Sequence, residues 1–297
     1  MTRCSTNYQT QIIMGQKSNI EWCDATWNIA RGCTKVDEDC KACYMYRDSM
    51  NSTRYDPMAV VRTKTVFDLP LRIKEPSKIF TCSLTDFFHE AIDSYQHEAW
   101  DIIRRCPQHT FQILTKRPER IVECLPSDWG NGWPNVWLGT SCGSQKSYRR
   151  ILDLLKVKAN VKFLSVEPMW GSVALRDIYH VVGGGSASAF EDISGGKQWF
   201  DVLAGQMANG QIGYDCPKLD WVIVGGESGN ETGKYRYREC DMSWIERVVE
   251  DCQATGVPVF VKQLGTFLSK ARGMNDRHGG DISEFPLHLQ IRQFPKQ

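Results

Sequence analysis

The chain has no run approaching 18 apolar residues, and its opening segment MTRCSTNYQTQIIMGQK lacks the apolar stretch of a secretory signal. Neither a membrane span nor an export leader is expected. It has no charge excess: 36 basic against 35 acidic side chains leave a formal net charge of +1. That argues against a protein held on nucleic acid mainly by its overall charge, although a local basic groove stays open. Twelve cysteines in 297 residues are about half the density of a disulfide scaffold. In a reducing cytoplasm they are expected as thiols, metal ligands or small buried hydrophobes. No P-loop, HExxH or nucleophile elbow is present, nor any repeat of fixed length.

What is present is a β/α rhythm. Short runs rich in β-branched and aromatic residues predict strands at 78–82, 110–114, 136–139, 161–164, 221–224 and 257–261, with a seventh at 27–30. Amphipathic segments at 95–105, 118–124, 144–156 and 241–255 fall between them. Ser144 and Asp241 are expected as helix N-caps, and Gly256 with Pro258 as a stop. This alternation predicts an α/β protein with a parallel sheet, a partial or complete (β/α) barrel, with an open doubly wound sheet as the competing architecture. The barrel is expected over 19–265, after an N-terminal extension (1–18) expected to be poorly ordered. A tail (266–297) is expected to pack on the barrel. A Gly-rich stretch near 182–216 (GGGSAS, ISGGKQ, ANGQIG) reads as an inserted lid or loop.

The sharpest chemical feature is Cys33, Cys40 and Cys43, a C-x6-C-x2-C pattern after the first strand. Closely spaced thiolates are soft ligands for iron–sulfur clusters, zinc or copper(I). Three thiols would leave one iron of a [4Fe–4S] cluster open. A structural zinc would need a fourth ligand, for which Cys23 is the candidate. In a barrel, the loop after the first strand lies at the C-terminal mouth, where active sites sit. Polar residues follow the other strands too: Ser83, Thr85 and Asp86; Lys116; Ser141; Glu167; Glu227; Lys262 and Gln263. One such residue is readily a cap; six consecutive strand ends suggest a functional mouth. Gly225-Gly226-Glu227 reads as a ligand-hugging turn or as a tight strand exit. Lys234–Arg238 (KYRYR) suits phosphate contact and base stacking, or is a solvated loop.

The blocks SNIEWCDATWN, GCTKVDEDCKACY, SLTDFFHE, FQILTKRPER, FLSVEPMWG, LDWVIVGGESG and GVPVFVKQLG resemble a family of uncharacterised phage and bacterial proteins placed by similarity with the radical S-adenosylmethionine barrels. The resemblance implies a [4Fe–4S] cluster on Cys33, Cys40 and Cys43, with S-adenosylmethionine chelating the open iron. One electron would cleave the sulfonium, and the resulting 5′-deoxyadenosyl radical would abstract hydrogen from a substrate. It further implies cofactor contacts from Tyr44, Ser83, Thr85, Asp86, Lys116, Ser141 and Glu167. Asp86 and Ser83 would take the methionine amino group and Lys116 the carboxylate; Glu227, Lys262 and Gln263 would face the substrate. Implied partners are DNA or a nucleotide as substrate, such as a hypermodified phage base, and a reductase or flavodoxin-type electron donor, in the host cytoplasm if phage-encoded. A repair lyase, a zinc-containing nucleic-acid-binding protein and a cofactor-free scaffold are the competing expectations.

Overall fold

In a computed structural model, residues 18–49, 56–176, 178–180, 198–208 and 213–296 are described. Seven strands form one parallel sheet: β1 (Ala25–Trp27), β2 (Lys78–Thr81), β3 (Thr110–Thr115), β4 (Val136–Ser141), β5 (Val161–Met169), β6 (Trp221–Gly226) and β7 (Val259–Gln263). Each strand pairs with its neighbour in chain order, so the spatial order is the sequence order. A doubly wound sheet reverses its order at a switch point; here there is none. The protein is a mixed α/β fold whose parallel sheet curls into a half-barrel.

The period-2 alternation of strands decides what fills it. Outward residues such as Phe111, Ile113, Leu138, Leu164, Val222 and Val261 join the core beneath the helices. Inward residues Phe80, Trp137, Phe163, Trp221, Ile223 and Phe260 gather around Trp22, which precedes β1. The Trp22 ring lies 4.6 Å from Phe80 and 6.3 Å from Trp221, centroid to centroid. Gly139 makes room for this packing, since a Cβ there would stand 2.5 Å from the Phe163 ring. The inner face is therefore aromatic toward the strand N-termini and turns polar toward their C-termini.

The helix Asp93–Arg105 buries Gln96, Ala99, Trp100 and Ile103, a helical stripe. Ser144 and Asp241 cap as expected, accepting from the amides of Lys146 and Ser243. Gly256, at φ 70°, ends the helix Met242–Thr255. Beyond β7, residues 290–294 turn back along its free edge: Val261 N–H donates to Ile291 O at 2.8 Å and Gln293 N–H to Val259 O at 3.0 Å. Phe294 then stacks on Trp221 at 5.3 Å.

Three expectations need correction. The first strand, expected at 27–30, is Ala25–Trp27, and Ala30–Arg31 pairs instead with Val61–Arg62. Several strands run past their apolar stretch, so Ser141, Glu167, Lys262 and Gln263 are strand residues, not residues after strands. The alternation continues where the inner face becomes polar, and hydropathy alone ends it early. The Gly-rich insertion is also not wholly loop. Its described parts, with Ile178–His180 before it, form a four-stranded antiparallel sheet. One turn is set by Asp201 Oδ1, which accepts from the amides of Leu203 and Ala204, and by Gly205 at φ 68°. Residues 181–197 and 209–212 of that region, and 1–17 of the N-terminal extension, lie outside the described residues. Among the described residues no helix is long and apolar enough to cross a membrane.

Candidate functional site

The polar C-terminal half of the inner face opens into a cavity of about 210 Å³. It is lined by the three thiols Cys33, Cys40 and Cys43, by Tyr44, Ser83, Thr85, Asp86, Lys116, Ser141 and Glu167, and by Glu227, Lys262 and Gln263. Every residue singled out from sequence for this chemistry thus borders one space. Cys23, the zinc alternative's fourth ligand, does not. It sits at the opposite end of β1 in the aromatic floor, its Sγ–H donating to Ser18 Oγ at 3.2 Å.

The six residues between Cys33 and Cys40 carry the anchor for the thiol loop. Asp39 is buried, and its carboxylate accepts from Trp170 Nε1 at 2.6 Å, Arg150 Nη1 at 2.7 Å, Ser147 Oγ at 2.8 Å and the Gly143 amide at 3.3 Å. Burial opposes its ionisation, but these bonds and the Arg150 charge win, and its carboxyl is held below the usual 3.8. Arg150 also pairs with Asp37, whose other oxygen caps the short 3₁₀ turn Glu38–Cys40. The loop is therefore bolted to β4, to the helix Arg149–Leu155 and to the exit of β5.

A second buried network holds the first thiol. Asp86 accepts from Thr115 Oγ1 (2.7 Å), Phe88 N–H (3.0 Å), Lys116 N–H (3.0 Å) and Arg117 Nη1 (3.3 Å). Arg117 Nη2 donates to Thr34 Oγ1 and Thr34 O, and Nη1 lies 3.8 Å from Cys33 Sγ. His89 Nδ1 accepts from the Ala91 amide, which leaves its Nε2–H to donate to Thr34 Oγ1. Burial pushes the Cys33 thiol up to about 11, with Asp86 adding to the shift and Arg117 opposing it. A bound metal would reverse this, because a coordinating thiol is deprotonated.

The far wall is built from ion pairs. Lys262 Nζ reaches Glu167 Oε1 at 2.6 Å, crossing from β7 to β5. Glu227 holds Arg238 through its backbone amide, Nε and Nη2, and Arg238 Nη1 donates to Glu38 O in the thiol loop. The two glycines before Glu227 serve the chain's own packing: a Cβ on Gly226 would meet Leu264 O at 2.1 Å. The ligand-hugging reading of that turn is replaced by close approach to the turn after β7. Base stacking by Lys234–Arg238 is corrected likewise. Tyr235 and Tyr237 are buried, Tyr235 against Met45 and Tyr46, while Lys234 and Arg236 face solvent.

Thr85 Oγ1, in the cavity wall, is buried without a hydrogen-bond partner among the described residues. Lys116 Nζ reaches only the Ser141 hydroxyl, at 3.4 Å, and has no acidic partner among the described residues. Among the described residues no three His, Cys, Asp or Glu side chains close into a cage around a single ion. A cluster puts each thiolate on a different iron. Cys33, Cys40 and Cys43 border this cavity together with the orphaned Thr85 hydroxyl and the Lys116 ammonium; soft thiols beside polar donors are the ligand types that a cluster with a polar co-ligand would need. Sequence reading missed Asp39, Arg150 and Trp170 as builders of this site; an Asp between closely spaced cysteines was the available signal.

No curated protein and no solved structure matches the chain. A family model described as a protein of unknown function (DUF5131) matches residues 17–286, and by that match the chain belongs to the DUF5131 family.

Proposed function

We propose that the cavity is the centre of a radical S-adenosylmethionine enzyme, with Cys33, Cys40 and Cys43 holding a [4Fe–4S] cluster. The observation that carries the reading is the convergence of these thiols on one cavity with a lysine, Lys116, that has no carboxylate within ion-pair distance among the described residues. Of the charged side chains lining it, Asp39 is paired with Arg150, Asp86 with Arg117, Glu167 with Lys262 and Glu227 with Arg238. Lys116 remains, and it suits the carboxylate of S-adenosylmethionine, with Ser141 beside it. When bound, the cluster supplies one electron for reductive cleavage of the sulfonium.

The chain's own groups then position and shield. Thr85 Oγ1 offers an unused hydrogen bond to the methionine amino group, and Ser83 lies beside it. Asp86, its oxygens taken by protein donors, fixes Arg117. Tyr44, an exposed residue of the cavity lining, donates to Ser83 O. Glu167 would bond the ribose hydroxyls, and Lys262, Gln263 and Glu227 would face the substrate. The aromatic floor excludes water from beneath. The substrate class we propose is a nucleobase or nucleotide, approached past exposed Lys234 and Arg236, with the electron coming from a reductase or flavodoxin-type donor.

The test is anaerobic purification with iron, sulfide and zinc analysis, followed by EPR after dithionite with and without S-adenosylmethionine. About four iron and four sulfide per chain, and a reduced signal altered by S-adenosylmethionine, are expected. One zinc and no sulfide would overturn the reading.

A further inference from the structure

We propose that Arg117 sets the reduction potential of the cluster by presenting its charge to the sulfur of Cys33; this rests on the cluster reading above. Arg117 is placed by the exit of β3, and its guanidinium is clamped on three sides. Nη1 meets Asp86 Oδ2 at 3.3 Å, Nη2 meets Thr34 O at 3.1 Å and Thr34 Oγ1 at 2.7 Å, and Nη1 stands 3.8 Å from Cys33 Sγ. The side chain is buried, only 9% exposed, so its charge is weakly screened. Thr34 directly follows Cys33 in the chain, so the clamp fixes the guanidinium relative to the very residue that carries the sulfur.

Two effects act in one direction. A hydrogen-bond donor on a ligating sulfur draws electron density from it, and a nearby cation favours the state carrying the extra electron; both raise the potential. The Asp86–Arg117 pair is neutral as a whole, but its cationic end is the one that touches the thiol. Removing the guanidinium does more than delete a positive charge: it leaves the buried Asp86 carboxylate uncompensated beside the cluster. Arg117 is thus a positioning and tuning residue that acts through Cys33, not a group that meets substrate.

The experiment is an EPR-monitored redox titration of the full chain, loaded anaerobically, with iron and sulfide counted for every variant. At the wild-type midpoint, Arg117→Gln should lower the ratio of reduced to oxidised cluster at least tenfold, about 59 mV for one electron. Arg117→Lys, which keeps the charge, should shift the midpoint less. Thr34→Val, which removes one clamp contact but keeps the charge and the residue 34 carbonyl contact, should lower the midpoint by less than Arg117→Gln does. A loaded Arg117→Gln variant with an unchanged midpoint would overturn the inference and leave the cluster reading intact. Wild-type protein that takes up no iron and sulfide would overturn the cluster reading, and this one with it. Should Arg117→Gln fail to load, Asp86→Asn supplies the test with opposite sign: its midpoint should rise, and an unmoved midpoint would refute the idea.

Discussion

Replacing Asp39 with Ala probes the anchor of the thiol loop most directly. The carboxylate is buried and accepts four hydrogen bonds, one from the buried Arg150. Breaking a buried ion pair by removing one partner costs about 3–5 kcal/mol, because the other charge is stranded. Arg150 retains Asp37 and the Ser141 carbonyl, which pulls the loss toward the lower end of that range. Trp170 Nε1–H and the Ser147 hydroxyl lose their acceptor, and an unsatisfied buried donor costs roughly 1–3 kcal/mol. A net loss of about 3–4 kcal/mol is expected, a large share of a typical total of about 5–15 kcal/mol. Urea unfolding of the metal-free protein, followed by tryptophan fluorescence, measures it without any contribution from a bound metal. Trypsin should also cut faster at the exposed Lys35 and Lys41 in the variant. A loss under about 1 kcal/mol, with unchanged cleavage, would show that Asp37 alone holds Arg150 and that Asp39 is not the anchor.

Gly139→Val should destabilise by about 1–3 kcal/mol, read as a lower urea midpoint, since the added atoms meet the Phe163 ring. Lys116→Ala should weaken S-adenosylmethionine binding by roughly ten- to a hundredfold, the worth of a charge-assisted hydrogen bond; calorimetry showing unchanged affinity would remove Lys116 from the cofactor site. Burial holds His109 below its ordinary 6.5, although the carbonyls of Pro70 and Ile73 push the other way. The unfolded chain therefore takes up this proton first, and stability falls as pH drops below 6.5 toward the lower folded value. In His109→Gln the urea midpoint should decline less between about pH 7 and pH 5; an equal slope would assign the acid sensitivity elsewhere.

Six of the seven strands were legible because parallel strands buried on both faces are dense in β-branched and aromatic residues; the first, expected at 27–30, lies at Ala25–Trp27. Their ends were not, because a barrel mouth keeps the alternation while changing its chemistry, as Ser165 and Glu167 do in β5. The cavity lining was legible for the same geometric reason: whatever stands at a strand's C-terminal end faces the mouth. The braces were not. Asp39 meets Arg150 across 111 residues of chain and Trp170 across 131, and no local pattern encodes partners so distant. In KYRYR, the alternation that suggested a binding strip instead buries Tyr235 and Tyr237 and exposes Lys234 and Arg236.

The strip 290–293 against β7 has a consequence for how this sheet is made. Strands that pair in chain order can be added one at a time as synthesis proceeds, each covering the edge of the one before. Among the described residues no eighth strand covers the edge left by β7, and its amides and carbonyls, until paired, are a template for another chain. Only when Ile291 and Gln293 have been synthesised can Val259 and Val261 find their partners. Until then the nascent protein carries an open seam, and chains stalled or clipped before residue 290 should associate edge to edge, in proportion to their concentration.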